Sequence, residues 1–166
     1  MAVKPIISHP NSLLRQRSTL VEKFDQEFQT LIDDLVDTML EHESMALAAP
    51  QIGEFKRVFV VNKKRILGDK TREIEPKDIL CIINPEIVYQ EFLIDSEEGC
   101  LSIQGQRGVV KRFHQVVLSA LDRENRAFSL TADGMLSIVI QHEIDHLDGI
   151  LFIDLLPLPC SEASLS

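Results

Sequence analysis

The sequence predicts an α+β domain, with antiparallel or mixed β-sheets packed around one central helix and a second helix toward the N-terminus. Three observations predict it. Two segments carry apolar residues at helical spacing, one near each end of the chain. Between them run several short β-branched stretches separated by turn residues. The helices are segregated from the strands rather than alternating with them, which favours α+β over a parallel α/β sheet. At 166 residues the chain suits one domain with one sizeable core.

The first ~20 residues, with Pro5 and Pro10, read as irregular. The first helix is expected from Asp25 to Glu41, with Phe28, Leu31, Ile32, Leu35 and Met39 on its buried face and Asp25 as its cap. Met45 to Gly53 is rich in small residues and ends in Pro50-Gln51-Ile52-Gly53, which reads as a loop. Arg57 to Val61 reads as a buried strand, and the charged stretch Asn62 to Asp78 as an exposed excursion. Leu80 to Ile83 and Ile87 to Leu93 are expected as two strands broken by Asn84-Pro85. Val109 to Arg112, Gln115 to Leu121 and Ala127 to Thr131 follow, the last two joined by a hairpin turn at Asp122 to Arg126. The second helix is expected from Asp133 to Leu147, with Asp133 as N-cap and Gly149 past its end.

Composition removes some function classes. The formal net charge of −9 opposes a role in wrapping DNA, which needs a basic footprint. Trp is absent and Tyr89 is the only tyrosine, so a base-stacking platform is not expected either. No apolar run approaches the ~20 residues that span a bilayer, and no secretory signal is visible at the start. Cys81, Cys100 and Cys160 are odd in number and widely spaced, which fits a reducing compartment, cytoplasmic by default.

The strongest chemical signal is His142-Glu143-Ile144-Asp145-His146 inside the second helix. Residues four apart share a helical face, so both imidazoles can meet one metal ion, and the central helix becomes a metal-binding helix. Glu143 can then serve a metal-activated water as general acid/base. A catalytic metal usually takes three protein ligands. Only 20 residues follow His146, with no further histidine, so the third ligand is sought upstream. Cys100, in Glu97-Glu98-Gly99-Cys100-Leu101-Ser102, is the best candidate, and its thiolate widens the choice of metal toward iron or zinc. Cys81, in an apolar strand, and Cys160, in a Pro-rich tail, read as ordinary small side chains. Met135, Ile138 and Val139 lie seven, four and three residues before His142, near the metal-facing side.

Three segments together resemble the peptide deformylase family. They are Leu47-Ala48-Ala49-Pro50-Gln51-Ile52-Gly53, Glu98-Gly99-Cys100-Leu101-Ser102, and Gln141-His142-Glu143-Ile144-Asp145-His146-Leu147-Asp148-Gly149. Their order and spacing also match, and the likeness runs from about Leu14 to Asp154. The resemblance implies removal of the formyl group from N-formylmethionyl nascent peptides by attack of metal-bound hydroxide. It implies one divalent ion, Fe(II) physiologically, with zinc or nickel also able to bind. Its ligands would be Cys100, His142 and His146, and its proton shuttle Glu143. The Gln51 amide and the Leu101 backbone N–H would face the developing oxyanion. Met45, Ala46, Glu98, Gly99 and Arg107 would contact the peptide, and Met135, Ile138 and Val139 would line a methionine pocket.

Two features depart from the family pattern. The first motif usually opens Gly-x-Gly; Ser44 and Ala46 stand there instead, which costs little at negative φ and more at positive φ. Leu151 to Ser166 has no Lys or Arg and carries Pro157 and Pro159, so any transient ribosome contact is expected through a surface other than a basic C-terminal helix. Two other readings stay open. One is a different H-E-x-x-H protease or amidase, opposed by the lack of a downstream third ligand. The other is a deformylase-like domain that binds formylated peptides or metal with little or no turnover, opposed by the intact Gln51, Glu98 to Ser102, and Glu143.

Overall fold

The structure, a computed structural model, describes residues 2–157. Helix α1 (Gln26–Glu41) forms where its periodicity predicts it. The Asp25 side chain accepts a hydrogen bond from Phe28 N–H at 3.0 Å, satisfying one of the free donors of the first turn. Phe28, Leu31, Ile32, Leu35 and Met39 are all buried and pack on Leu47, Val58, Val60 and Ile83 of the sheet.

That sheet has five strands in the order β1 (Ala46–Ala48), β2 (Val58–Asn62), β3 (Ile79–Cys100), β4 (Ile103–Leu121) and β5 (Ala127–Asp133), each antiparallel to its neighbour. The expected loop from Met45 to Gly53 is therefore part strand. Ala46, Leu47 and Ala48 gain extended structure by pairing with Val61, Val60 and Phe59, a partner that lies beyond any local window. A 3-10 turn over Ala49–Ile52 follows, ended by Gly53 at φ +86°.

The break expected at Asn84-Pro85 is a register shift inside one long strand, not an end. Asn84 sits at φ +50°, and its side-chain amide pairs with both Val21 N–H and Val21 O. The missing N–H of Pro85 thus falls where the ladder is already irregular. Likewise Val109–Arg112 and Gln115–Leu121 are parts of β4. Polar residues that alternate too weakly to read as strands pair across the hairpin, from Ile94↔Arg112 to Glu98↔Gly108. The excursion after β2 holds one short helix, α2 (Lys63–Ile66), with Asn62 accepting from Arg65 N–H at 3.2 Å. The turn at Asp122 is as expected: its Oδ1 accepts from Glu124 N–H and Arg126 N–H, and Asn125 takes φ +63°.

Helix α3 (Gly134–Leu147) is the central helix, packed against β4, β1 and β5. Asp133 occupies its N-cap position but does not cap it. Its carboxylate accepts instead from Gln115 Nε2 at 2.7 Å. The helix is tied to β4 from within: Ser137 Oγ and Gln141 Nε2 donate to Phe113 O, and Gln141 Oε1 accepts from Phe113 N–H. Gly149, at φ +73°, lies so close to the Arg15 carbonyl that an added Cβ would stand 2.3 Å from it. A second core cluster (Phe59, Ile82, Leu118, Ile140, Leu147) lies on the α3 side of the sheet, and a third (Leu14, Ile103, Val110, Leu151, Phe152) closes one end. After a 3-10 turn at Phe152–Leu155 the chain is described only to Pro157. The expectations for Pro159 and Cys160 lie outside the described residues. Among the described residues no helix is long and apolar enough to cross a membrane.

Candidate metal centre

The two histidines of α3 lie one turn apart, with ring centroids 5.0 Å from each other. Cys100 reaches them from the end of β3. The three donor atoms all fall within 4.8 Å of one another, and Cys100 Sγ stands 3.3 Å from His146 Nε2. Metal–donor bonds of about 2.0–2.3 Å put neighbouring donors about 3.3–3.8 Å apart, which the Cys100–His146 pair meets, and the three donors together are close enough to face one small divalent ion. The donor chemistry fits as well: two imidazoles and a thiolate suit zinc, iron or nickel rather than magnesium or calcium.

His142 is oriented from behind, whereas the buried His146 Nδ1 has no hydrogen-bond partner among the described residues. Glu98 Oε1 lies 2.8 Å from His142 Nδ1, which leaves Nε2 for the metal side. Arg112 clasps Glu98 through two hydrogen bonds of 2.8 Å and reaches Asp145 Oδ2 at 2.6 Å. Arg112 and Glu98 are buried to 4% and 6% exposure, where an unpaired charge is costly. Burial alone would raise the Glu98 carboxyl, but hydrogen bonds from Arg112 and His142 outweigh it and hold the group at about 2. Burial opposes protonation of His142, yet its bonds to Cys100 and Glu98 push it up to about 10. Burial drives His146 the other way, well below the ordinary imidazole range. The Phe152 ring stacks over His142 at 6.2 Å and shields it.

Glu143 is buried beside the donors. Its Oε2 has no protein partner among the described residues, and burial pushes the carboxyl up to about 7. Gln51 is fixed by both ends of its amide. Its Oε1 accepts from Ala48 N–H at 3.0 Å, and its Nε2 donates to Ser102 Oγ at 3.1 Å while standing 3.6 Å from Cys100 Sγ.

These groups lie at the foot of a cleft of about 670 Å³. Met45, Ala46, Gln51, Glu98, Gly99, Cys100, Leu101, Arg107, Met135, Ile138, Val139, His142 and Glu143 all line it, and His146 is buried beneath. Leu101 occupies the tight turn between β3 and β4. Arg107 is exposed at the mouth, 3.3 Å from Glu97, and Met135 is half-exposed. Glu98 lines the cleft, and both its oxygens are engaged, by Arg112 and by His142 Nδ1. Ser44 and Ala46 carry no glycine-type strain, because the only non-glycine residues at positive φ among those described are Glu43, Asn84, Phe92 and Asn125. Sequence reasoning missed Arg112, Asp145, Ser102 and the hydroxyl of Ser44. Nothing local marks a strand arginine as buried; Asp145 and Ser102 had a cue, each inside one of the three motifs, and Ser44 one as a departure from the family pattern.

Fold and site together define a metal-site hydrolase of the α+β class. The family model described as polypeptide deformylase matches residues 3–160. The peptide deformylase of Helicobacter hepaticus is 39% identical over 95% of this chain and 86% of its own length, and that of Caldicellulosiruptor bescii 42% identical over 93% and 86%. Among solved structures, a peptide deformylase from Legionella pneumophila superposes with a TM-score of 0.86 at 41% identity, covering 95% of this chain and 88% of that one. The chain belongs to the polypeptide deformylase family, whose members are metal-dependent and act on formylated nascent peptides. A Met-Ala-Ser-bound deformylase from Acinetobacter baumannii is similar too, with a TM-score of 0.81 at 28% identity over 93% of this chain and 99% of that one.

Proposed function

We propose that this chain hydrolyses the formyl amide of N-formylmethionyl nascent peptides, releasing formate and a free amino terminus. The observation that carries the reading is Glu143: a buried carboxylate with one unpartnered oxygen, beside three metal donors, at the foot of a peptide-sized cleft. Cys100, His142 and His146 would hold one divalent ion, Fe(II) with Zn(II) or Ni(II) as substitutes. Such an ion, when bound, lowers the pKa of water toward neutrality and polarises a carbonyl.

The chain's own groups do the rest. Glu143 takes the proton of the attacking water and passes it to the leaving amine. Gln51 Nε2 and the Leu101 main-chain N–H face the charge that grows on the formyl oxygen, and one such donor is worth about 3 kcal/mol in the barrier. Glu98, held by Arg112, keeps the His142 ring turned toward the ion. Met135, Ile138 and Val139 form the apolar wall for the methionine side chain, while Met45, Ala46, Gly99 and Arg107 flank the peptide. The whole acts as one catalytic domain, in the cytoplasm where nascent chains emerge, with any ribosome contact transient.

The test is formate release from a formyl-Met tripeptide by protein purified without oxygen and loaded with Fe(II) or Ni(II). Glu143→Gln, with metal content matched, is expected to lose about 10²- to 10⁴-fold in kcat. Full turnover in that variant, or metal without turnover in the parent, would sink the reading.

A further inference from the structure

Strand β1 pairs with β2 on one side only. Asn62 N–H donates to Met45 O at 2.7 Å. Along an antiparallel pair, successive residues aim their main-chain groups in alternate directions. Ala46, which stands opposite Val61, therefore turns its N–H and C=O away from β2. Ala48, in the same phase, does so: its N–H goes to Gln51 Oε1. Ala46 lines the cleft, so its two main-chain groups form the free edge of the sheet there. An edge of this kind is where an extended peptide adds as a further strand.

Those groups are already engaged from within the chain. Ser44 Oγ donates to Ala46 O at 2.8 Å, and Ala46 N–H approaches the same oxygen at 3.4 Å. One hydroxyl thus meets both the acceptor and the donor that an incoming peptide would use. Ser44 also lines the cleft, and the bonds of its hydroxyl run to Ala46 rather than to the metal donors.

We propose that Ser44 sets how tightly the cleft takes its peptide: the hydroxyl occupies the cleft-side main-chain groups of Ala46 and must turn away before an extended substrate can pair with them. The proposal rests on the reading of this cleft as a formyl-peptide site. Binding then exchanges an internal hydrogen bond for an intermolecular one. The observed affinity is the intrinsic affinity scaled by the fraction of molecules with the hydroxyl turned away. A neutral, partly exposed hydrogen bond has a small net worth, so the penalty is about three- to tenfold in KM. The chemical step is untouched, because the hydroxyl is gone from the edge once peptide is bound.

The experiment compares Ser44→Ala and Ser44→Thr with the parent, all metal-loaded, on formyl-Met-Ala-Ser. Ser44→Ala is expected to lower KM by about three- to tenfold with kcat within about twofold. Ser44→Thr, which keeps the hydroxyl, should hold the parent KM. An unchanged or raised KM in Ser44→Ala, or the same fall in Ser44→Thr, overturns the proposal. Calorimetric binding of the same peptide separates this from the activity. If the parent releases no formate, the functional reading fails on its own. Tighter binding by Ser44→Ala alone then still supports the role of Ser44, and equal or absent binding overturns it.

Discussion

Helices α1 and α3 are nearly the same length and are held by different means. Helix α1 takes more of its stability locally, from a capping Asp25 and an apolar face packed on the sheet, and its two buried polar side chains, Asp34 and Thr38, accept from Ala2 N–H and Lys4 N–H. Helix α3 has no side-chain cap and buries Ser137, Gln141, Glu143 and His146 along with its apolar residues. Its order comes from partners, Phe113 of β4 on one side and the Glu98–Arg112–Asp145 cluster on the other. The comparison teaches that a helix bearing a site trades local signals for long-range ones. Polar groups unfavourable in an ordinary core are buried there, and the surroundings must satisfy them.

The sharpest way to break the contrast is Arg112→Gln. It leaves Glu98 and Asp145 without their cation, and removing one partner of a buried pair costs about 3–5 kcal/mol. Metal affinity should also fall about 10- to 100-fold, because the His142 ring loses its fixed support. Chemical denaturation and a metal-competition titration would read both. Leu35→Ala in α1 should cost about 2–5 kcal/mol through the cavity it opens. Its metal affinity, measured on the folded variant, should stay at the parent value. A comparable loss of metal affinity in both variants would remove the distinction between the helices.

The caps give a smaller test. Asp25→Ala should cost about 1 kcal/mol, since the side chain serves Phe28 N–H. Asp133→Ala should cost less than half of that, since its carboxylate serves exposed Gln115 instead. Equal costs in thermal denaturation would mean that Asp133 supports α3 after all.

The smallest effect is one of pH, at the closed end of the molecule. Burial would raise the Asp154 carboxyl, but Arg15 and the Leu151 N–H outweigh it and hold the group below its ordinary range. A carboxyl lowered on folding contributes stability above its unfolded pKa and loses it as pH falls through the folded value. Asp154→Asn should therefore be less stable than the parent near neutrality, and the gap should close in acid. A gap that widens as pH falls would reverse the sign.

Much of the site was legible because its signals are local. The His142-Glu143-x-x-His146 spacing needs only helical geometry to bring two rings to one face, and Cys100 was found by asking what completes them. Gln51 and the cleft walls came through the motifs that resemble the family. The role of Glu98 did not, because it depends on an arginine 14 residues away across a hairpin. The strands were legible in their apolar parts and not in their polar ones. Ile94 to Glu98 is strand because β4 supplies the ladder, and Ala46 to Ala48 because β2 does.

By itself, then, this sequence determined the two helices, the shared face of His142 and His146 and the turn at Asp122, since each rests on contacts within a few residues. Tertiary structure alone decided that β3 runs unbroken past Pro85, that Arg112 is buried against Glu98, and that the Ser44 hydroxyl meets the free edge of Ala46. Those outcomes turn on backbone and charged groups that must find distant partners once water is excluded.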